Sequence, residues 1–418
     1  MAGGLWGGNT SQYDLQDDGR MTKPSGQSKP PFRIPSMAEI NAIPWNGMTV
    51  VSTFSGTGGS CLGYRMAGFK VAWANEFVPE AQRSYKANAA PDSIMDGRDI
   101  KLVTAAEILE AIGLAPGDLD IFDGSPPCQA FSTAGSREKG WGKDKAYAHG
   151  ARQKNETLFD EYIRLLRGLR PKVFIAENVS GLVKGTAKGF FLEILAELKA
   201  SGYTVAAKLL DAQWLGVPQA RQRIIFVGVR TDLGRPPVFP RPLPYRYSVR
   251  DALPWIGRIE GANGFNLYAM RKGDQPMATV QAGRTLAIEE LPEPESDISR
   301  FAIGAEWDKM GRPGTQSDKF FQLVRPALDD PCPTITSSGG CSSLASVTHP
   351  TDRRKFTIAE LRPICGFPDD FVLTGSYAEQ WARLGNSVPP LMMRAIAETV
   401  RDGVLIPTGA AGLPRDGS

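Results

Sequence analysis

Cys128 follows two prolines in GSPPCQAFS (124–132), immediately downstream of the apolar run from Leu119 to Phe122. A lone cysteine is most often a small buried hydrophobe. Pro126 and Pro127 argue otherwise, because they fix the backbone where a strand ends and remove two amide donors, which sets the direction of the next side chain. That geometry suits a nucleophile. KVFIAEN (172–178) ends in Glu177 and Asn178, and QARQR (219–223) brings Arg221 and Arg223 to the start of another apolar strand. A free thiol, with a pKa of about 8.5, is only a few per cent ionised at neutral pH, so nearby arginines would help it. Thiol, carboxylate and guanidinium together can perform covalent catalysis with proton transfer and stabilisation of developing negative charge.

A second group lies upstream. FSGTGGSCLG (54–63) carries Gly56, Gly58 and Gly59 between a strand and a helix, where backbone must turn tightly and can approach a ligand. Such a turn is often only a turn, and Cys61 stands where the G-x-G-x-x-G template has Gly or Ala, which argues against a conventional dinucleotide site. The next strand ends in Asn75-Glu76, about 20 residues after the first glycine, where a carboxylate can accept both hydroxyl hydrogens of a ribose. The two features agree on an adenosine-bearing cofactor.

These residues need a frame that gathers strand ends. Short β-branched runs (MTVVSTF, KVAWANE, LDIFDGS, KVFIAEN, YTVAAKLLD, RIIFVGVR) alternate with helical patterns at about Gly59 to Ala67, from Pro79, from near Thr157 and from Phe190 to Ala200. That alternation predicts an α/β fold with a doubly wound, mostly parallel sheet, whose ligands bind outside the carboxyl ends of the strands. The pattern breaks after Arg230. Residues 231–350 are dense in Pro and Gly and have no long amphipathic helix, so they read as a second, irregular inserted domain. DQPMATVQAGR and DDPCPTITSSGG within it are faintly alike, too short a pair to tell duplication from coincidence. Residues 1–47 are polar and Gly-rich, a partly disordered tail with a short docking segment at SMAEINAIPW.

Composition sets the bounds. The 418 residues are 42% hydrophobic, ordinary for a folded enzyme, and no apolar run approaches the roughly 20 residues of a membrane span. The N-terminus lacks a basic start followed by an apolar core, so a cytoplasmic protein is expected. Five scattered cysteines without a C-x-x-C pair, and the isolated His149 and His349, fit neither a disulfide framework nor a metal site. A formal charge of +3 does not by itself announce a nucleic-acid partner.

In order, FSGTGG (54–59), NE (75–76), RDI (98–100), PPCQAFS (126–132), AENV (176–179), QARQR (219–223), RRKFTIAELRPICGFPDDF (353–371) and LGNSVPP (384–390) resemble the motifs of the DNA cytosine-5 methyltransferase family, of bacterial or phage type. The resemblance covers about residues 48–402, the inserted region largely excepted. It implies a Rossmann-like, S-adenosylmethionine-dependent fold: a catalytic and cofactor-binding domain over 48–230, a target-recognition domain over 231–350, a return over 351–403 with a helix from about Leu391 to Val400, and a tail over 404–418. By the same likeness Phe54, Gly56, Thr57, Gly58, Gly59, Glu76, Phe77, Asp99, Ile100, Pro127, Asn386 and Ser387 would line the S-adenosylmethionine pocket, S-adenosylhomocysteine being the product.

Carried over residue by residue, the family's chemistry assigns Cys128 to add to C6 of cytosine and make C5 nucleophilic. Glu177 would hold N3 and the exocyclic amine, Arg223 would bind O2, and Arg221 would orient the cysteine or its loop. No residue is forced as the final base, and water would serve. The target is inaccessible in a duplex stack, so the base must be flipped out. SREKGWGKDKAYAHGARQK (136–154), with six Lys or Arg against two acidic residues, reads as a cationic loop able to close over DNA or as a plain solvated loop. Gln129, Ser132, Lys143 and, from the ITSSGG (335–340) junction, Thr336 are the expected DNA contacts. Lys154-Asn155-Glu156 departs from the family pattern, where many members have an arginine. Arg241, Arg246, Arg250, Arg271 and Arg284 could read guanines or meet phosphates alike. The expected partner is double-stranded DNA, the chain a monomer associated with the nucleoid, and a cognate restriction endonuclease a candidate partner. An RNA methyltransferase on the same scaffold, a silent DNA-binding module and a thymidylate synthase-type enzyme are the rival readings.

Overall fold

The computed structural model describes residues 29–127, 145–146, 152–153, 158–183, 188–256, 280–281, 284–285 and 293–406. Seven strands form its sheet: β1 (Thr49–Thr53), β2 (Lys70–Asn75), β3 (Ile94–Asp96), β4 (Ile121–Gly124), β5 (Val173–Val179), β6 (Tyr203–Asp211) and β7 (Gln222–Arg230). Their order is β3-β2-β1-β4-β5-β7-β6, parallel except for β7, which runs antiparallel to both neighbours. Eleven α-helices accompany the sheet among the described residues, α1 (Met37–Asn41), α3 (Pro79–Asn88), α7 (Val249–Ala252) and α8 (Ala302–Lys309) besides those named below, and the strands are near-continuous apolar runs because helices cover both faces. Successive residues alternate between those faces. Val50, Ile121, Ile175 and Val227 pack on one side with α2 (Gly59–Met66) and α11 (Pro390–Val400). Val51, Phe122, Phe174 and Phe226 pack on the other with α4 (Ala105–Ile112), α5 (Leu158–Leu169) and α6 (Lys188–Ala200).

Connections leave β1 toward β2 on one side while β4 lies on the other, so the crevice where the order reverses opens at the exit of β1. The remaining segments share two smaller cores. One joins residues 249–256, Cys332 and Ile335 to α9 (Ile358–Ile364) and α10 (Tyr377–Asn386). The other is built from Ile298, Ile303, Trp307 and Leu323. Capping boxes at Thr357/Glu360 and Ser376/Glu379 start α9 and α10. Within 29–47, Phe32 packs on Tyr247, Met37 donates its amide to Asp370, and Ile40 is buried.

The return of the chain depends on two glycines of α2. A Cβ added at Gly59 would lie 2.3 Å from the Val388 carbonyl oxygen, and one at Gly63 would lie 2.6 Å from both Pro390 O and Met393 Cβ. Backbone cannot yield to such contacts cheaply. Gly63→Ala is therefore expected to lower stability by about 1–3 kcal/mol through overpacking of α2 on α11, read as a lower midpoint in urea unfolding. An unchanged midpoint would contradict this packing.

Candidate active site

At the exit of β1 the chain turns through Phe54 (φ +54°), Gly56 (φ +57°) and Gly58 (φ +97°). The left-handed conformation costs a non-glycine residue about 1–2 kcal/mol, so Phe54 is held in a strained place by its surroundings. The turn is closed by Gly58 N–H donating to Ser55 O at 2.9 Å and by Ser55 Oγ donating to Ser52 O at 3.1 Å. Space opens beside Gly56, where an added Cβ would meet nothing within 4 Å. Thr57 is buried, and its Oγ1 has no hydrogen-bond partner among the described residues.

Glu76, at the end of β2, faces this turn. One carboxylate oxygen accepts Gly56 N–H at 2.8 Å and the other Val78 N–H at 2.7 Å, which leaves each oxygen a further lone pair. Burial pushes its carboxyl above the usual range, against the pull of the Val78 and Gly56 amides and of Arg383. Asn75 Nδ2 donates to Asp96 O and Arg98 O, tying β2 to the end of β3. There Asp99 accepts Lys101 N–H at 3.1 Å to start a short 3-10 turn containing the buried Ile100. Phe77 is half-buried. Asn386 is exposed at the end of α10, and Ser387 comes beside Gly59, its Cβ 3.2 Å from where a Gly59 Cβ would stand. Phe54, Gly56, Thr57, Gly58, Gly59, Glu76 and Ser387 thus converge on the crevice, with Asp99 and Ile100 at the neighbouring strand end.

Across the reversal point, β4 leads through Asp123 and Gly124 to Pro126, which is buried, and Pro127, which is half-buried. Cys128, Gln129, Ser132 and Lys143 lie outside the described residues. What precedes them is anchored: the buried Asn178 donates from Nδ2 to Pro126 O at 3.1 Å, so β5 holds the proline pedestal directly. Glu177, the residue before, forms an ion pair with Arg223, Nε to Oε1 2.6 Å, the two side chains 12% and 15% exposed. The antiparallel direction of β7 makes this pair. Its first residues lie at the edge where β5 ends, and Arg223 stands opposite Val179.

Arg221 takes a different place. It is buried, with Nη1 donating to Ile335 O at 3.1 Å and Nη2 to Gly385 O at 2.8 Å. Burial and the neighbouring Arg223 lower its pKa to about 9, so it stays charged at pH 7. Thr336, half-buried, follows Ile335 and makes no side-chain capping bond to the 3-10 turn it begins.

Three side chains to which the sequence assigned no role shape this edge. Asn178 is one, and its signal was a polar residue in an apolar strand. Trp381, whose Nε1 donates to Thr336 O at 2.9 Å, gave no such signal. The third is Asp123, fully buried and accepting Ser52 Oγ at 2.9 Å and Tyr64 OH at 3.1 Å. Burial pushes its carboxyl up to about 7, against those two donors and with the Glu177 charge adding to the rise. The folded state thus favours the protonated acid. Its stabilising contribution is complete below about pH 4, the unfolded value, and is lost as pH rises through about 7. Asp123→Asn should lose less stability than the parent between pH 5 and pH 8, which urea midpoints at the two pH values measure. Equal losses would show that Asp123 stays ionised in the fold.

The mostly parallel seven-stranded sheet, with helices on both faces and its order reversed between β1 and β4, is the Rossmann-like methyltransferase fold. Residues 48–402 match the family of C-5 cytosine-specific DNA methylases, and the chain belongs to that family. Among its relatives, the type II methyltransferase M1.HphI of Haemophilus parahaemolyticus is 31% identical over 362 residues, covering 84% of this chain and 86% of that protein. The type II methyltransferase M.XorII of Xanthomonas oryzae pv. oryzae is 30% identical over 371 residues, covering 83% and 82%. A prophage-encoded E. coli protein assigned as a DNA modification methyltransferase shares the fold with a TM-score of 0.62 at 20% identity, over 86% of this chain and 100% of that one. DNMT2 of Spodoptera frugiperda does so with a TM-score of 0.55 at 18% identity, over 85% and 99%. The protein is a DNA (cytosine-5-)-methyltransferase. Among the described residues no helix is long and apolar enough to cross a membrane.

Proposed function

We propose that the protein methylates C5 of a cytosine flipped out of a specific duplex sequence, through a covalent bond between Cys128 and C6. The observation that carries this reading is the Glu177–Arg223 pair, 2.6 Å apart at the strand edge onto which the Pro126-Pro127 pedestal opens. Cys128 adds to C6 as a thiolate. Glu177 holds N3 and the exocyclic amine and supplies or shares a proton at N3 as charge builds on the ring. Arg223 binds O2 and stabilises the same charge. After methylation, loss of the C5 proton and expulsion of the thiolate restore the aromatic ring.

The residues at the crevice fit S-adenosylmethionine: Thr57 Oγ1 is buried without a partner among the described residues, Gly56 leaves open space, and the Glu76 oxygens keep spare lone pairs toward ribose hydroxyls. When bound, that cofactor supplies an electrophilic sulfonium methyl. Phe54, Gly56, Thr57, Gly58, Gly59, Glu76, Phe77, Asp99, Ile100, Pro127, Asn386 and Ser387 are the residues proposed to hold it. Gln129, Ser132, Lys143 and Thr336 are proposed to meet DNA, a cognate endonuclease to act beside the enzyme, and a monomer to act at the nucleoid.

DNA carrying 5-fluorocytosine tests the covalent step, since fluorine at C5 cannot leave as a proton. With S-adenosylmethionine present, plasmid-derived duplex made with this base should give a denaturation-resistant protein–DNA adduct that maps to Cys128. Absence of the adduct from an enzyme that methylates ordinary plasmid would reject Cys128 as the nucleophile. Bisulfite sequencing of plasmid from expressing cells identifies the cytosine.

A further inference from the structure

The buried guanidinium of Arg221 bonds no carboxylate among the described residues. It spends Nη1 on Ile335 O and Nη2 on Gly385 O, two carbonyls 114 and 164 residues away, while its Nε has no partner among the described residues. Guanidinium burial is costly unless the group is well bonded, so two carbonyls of distant segments are an unusual use of it. One carbonyl precedes Thr336, the other precedes Asn386 and Ser387. The two segments also meet directly. A Cβ on Gly385 would stand 2.7 Å from Ser337 N and from the Thr336 carbonyl carbon, and Trp381 Nε1 donates to Thr336 O at 2.9 Å. From the other side, Thr334 Oγ1 donates to Ala220 O at 2.6 Å and Ala220 N–H to Cys332 O at 2.8 Å. The 332–337 backbone is therefore clamped between the segment leading into β7 and the end of α10.

We propose that Arg221 is a positioning residue that holds the Thr336 segment in register with the Asn386–Ser387 turn and with Arg223, so that the flipped base and the methyl donor meet in one geometry. This rests on the methyl-transfer reading above and on Thr336 supporting the base. Arg221 touches neither ligand in this role. Its charge alone is not sufficient, because the role needs two donors at a fixed spread, which the planar guanidinium has and an ammonium lacks.

The test is Arg221→Lys in the full chain, assayed on plasmid DNA with radiolabelled S-adenosylmethionine. A shift of about 1 Å in a reacting geometry can cost about 100-fold in rate. Arg221→Lys should therefore lower kcat by about 10- to 100-fold, while S-adenosylhomocysteine binding to the DNA-free protein, by calorimetry, changes less than about threefold. Trp381→Phe removes the donor to Thr336 O from the opposite side and should show the same pattern. It carries the test alone should the lysine variant not fold. The double variant should lose less than the product of the two single losses, because both loosen one seat. A kcat within twofold of the parent, an equal loss in DNA-free cofactor binding, or multiplicative losses would each overturn the proposal. A parent that transfers no methyl group to DNA would instead defeat the underlying reading.

Discussion

Cys128→Ser is expected to abolish methyl transfer and to leave S-adenosylhomocysteine binding within about twofold of the parent. A serine hydroxyl at this position is almost wholly un-ionised at neutral pH and would need a neighbouring base such as a histidine to activate it. His349 is itself buried, packed against Phe356 and bonded within 351–352. Removing a nucleophile that opens a reaction usually costs many orders of magnitude, with little residual rate from binding alone. Apart from Pro127, the proposed cofactor residues follow the ends of β1, β2, β3 and α10, where the hydrogen bonds of Glu76, Asn75, Asp99 and Ser387 are made to other residues of those strand and helix ends. Filter-bound methyl counts and calorimetry on the same sample measure both halves. Residual activity above about one hundredth would place the covalent step elsewhere.

Glu177→Gln is the second large effect, and it acts on rate more than on folding. The variant keeps an acceptor for Arg223 but loses the negative charge, leaving a guanidinium that is only 15% exposed without its counter-ion. Breaking a buried pair from one side is costly, whereas retaining a neutral hydrogen bond offsets part of that cost, so a stability loss of about 1–3 kcal/mol is expected. An amide can neither supply nor share the N3 proton, so kcat should fall by about 100- to 10,000-fold. The comparison with Arg223→Lys separates the roles: the lysine variant keeps the charge and loses the fork, and its loss should appear in kcat with smaller change in stability. If Glu177→Gln retained full kcat, proton transfer at N3 would belong to another group.

The sheet was legible because two-sided burial leaves long β-branched runs, and because strand ends in a parallel sheet carry the polar residues. Glu177, Glu76 and the glycines of 56–59 could all be placed on one edge by that rule alone. Strand direction was not legible. RIIFVGVR is buried on both faces and reads the same whichever way it runs, so its antiparallel course required the structure. The three-residue β3, IMD in sequence, is too short and too exposed for periodicity to find. The partners of Arg221 lie more than a hundred residues away, beyond any local pattern, and the buried Asp123 is bonded by Tyr64 from α2, 59 residues earlier. The cysteine loop itself, with Gln129, Ser132 and Lys143, lies outside the described residues, and its reading still rests on sequence.

The reversed course of β7 also dictates what must come after it. A strand that begins at the ligand edge ends at the opposite edge, where Thr231 N–H meets Gly202 O at the foot of β6. The chain must then travel back up the molecule to regain the ligand edge. Nine strand residues measure about 30 Å, and a fully extended polyproline run of fourteen residues measures about 40 Å. GRPPVFPRPLPYRY, from Gly234 to Tyr247, supplies such a ruler. At its lower end Arg235 is tied to Val404 O and Ile406 O, and higher up Leu243 N–H is tied to Trp214 O, just past the end of β6. The proline-rich run links the two ends of the sheet, and shortening it by three or four residues would leave the segment after it unable to reach its landing.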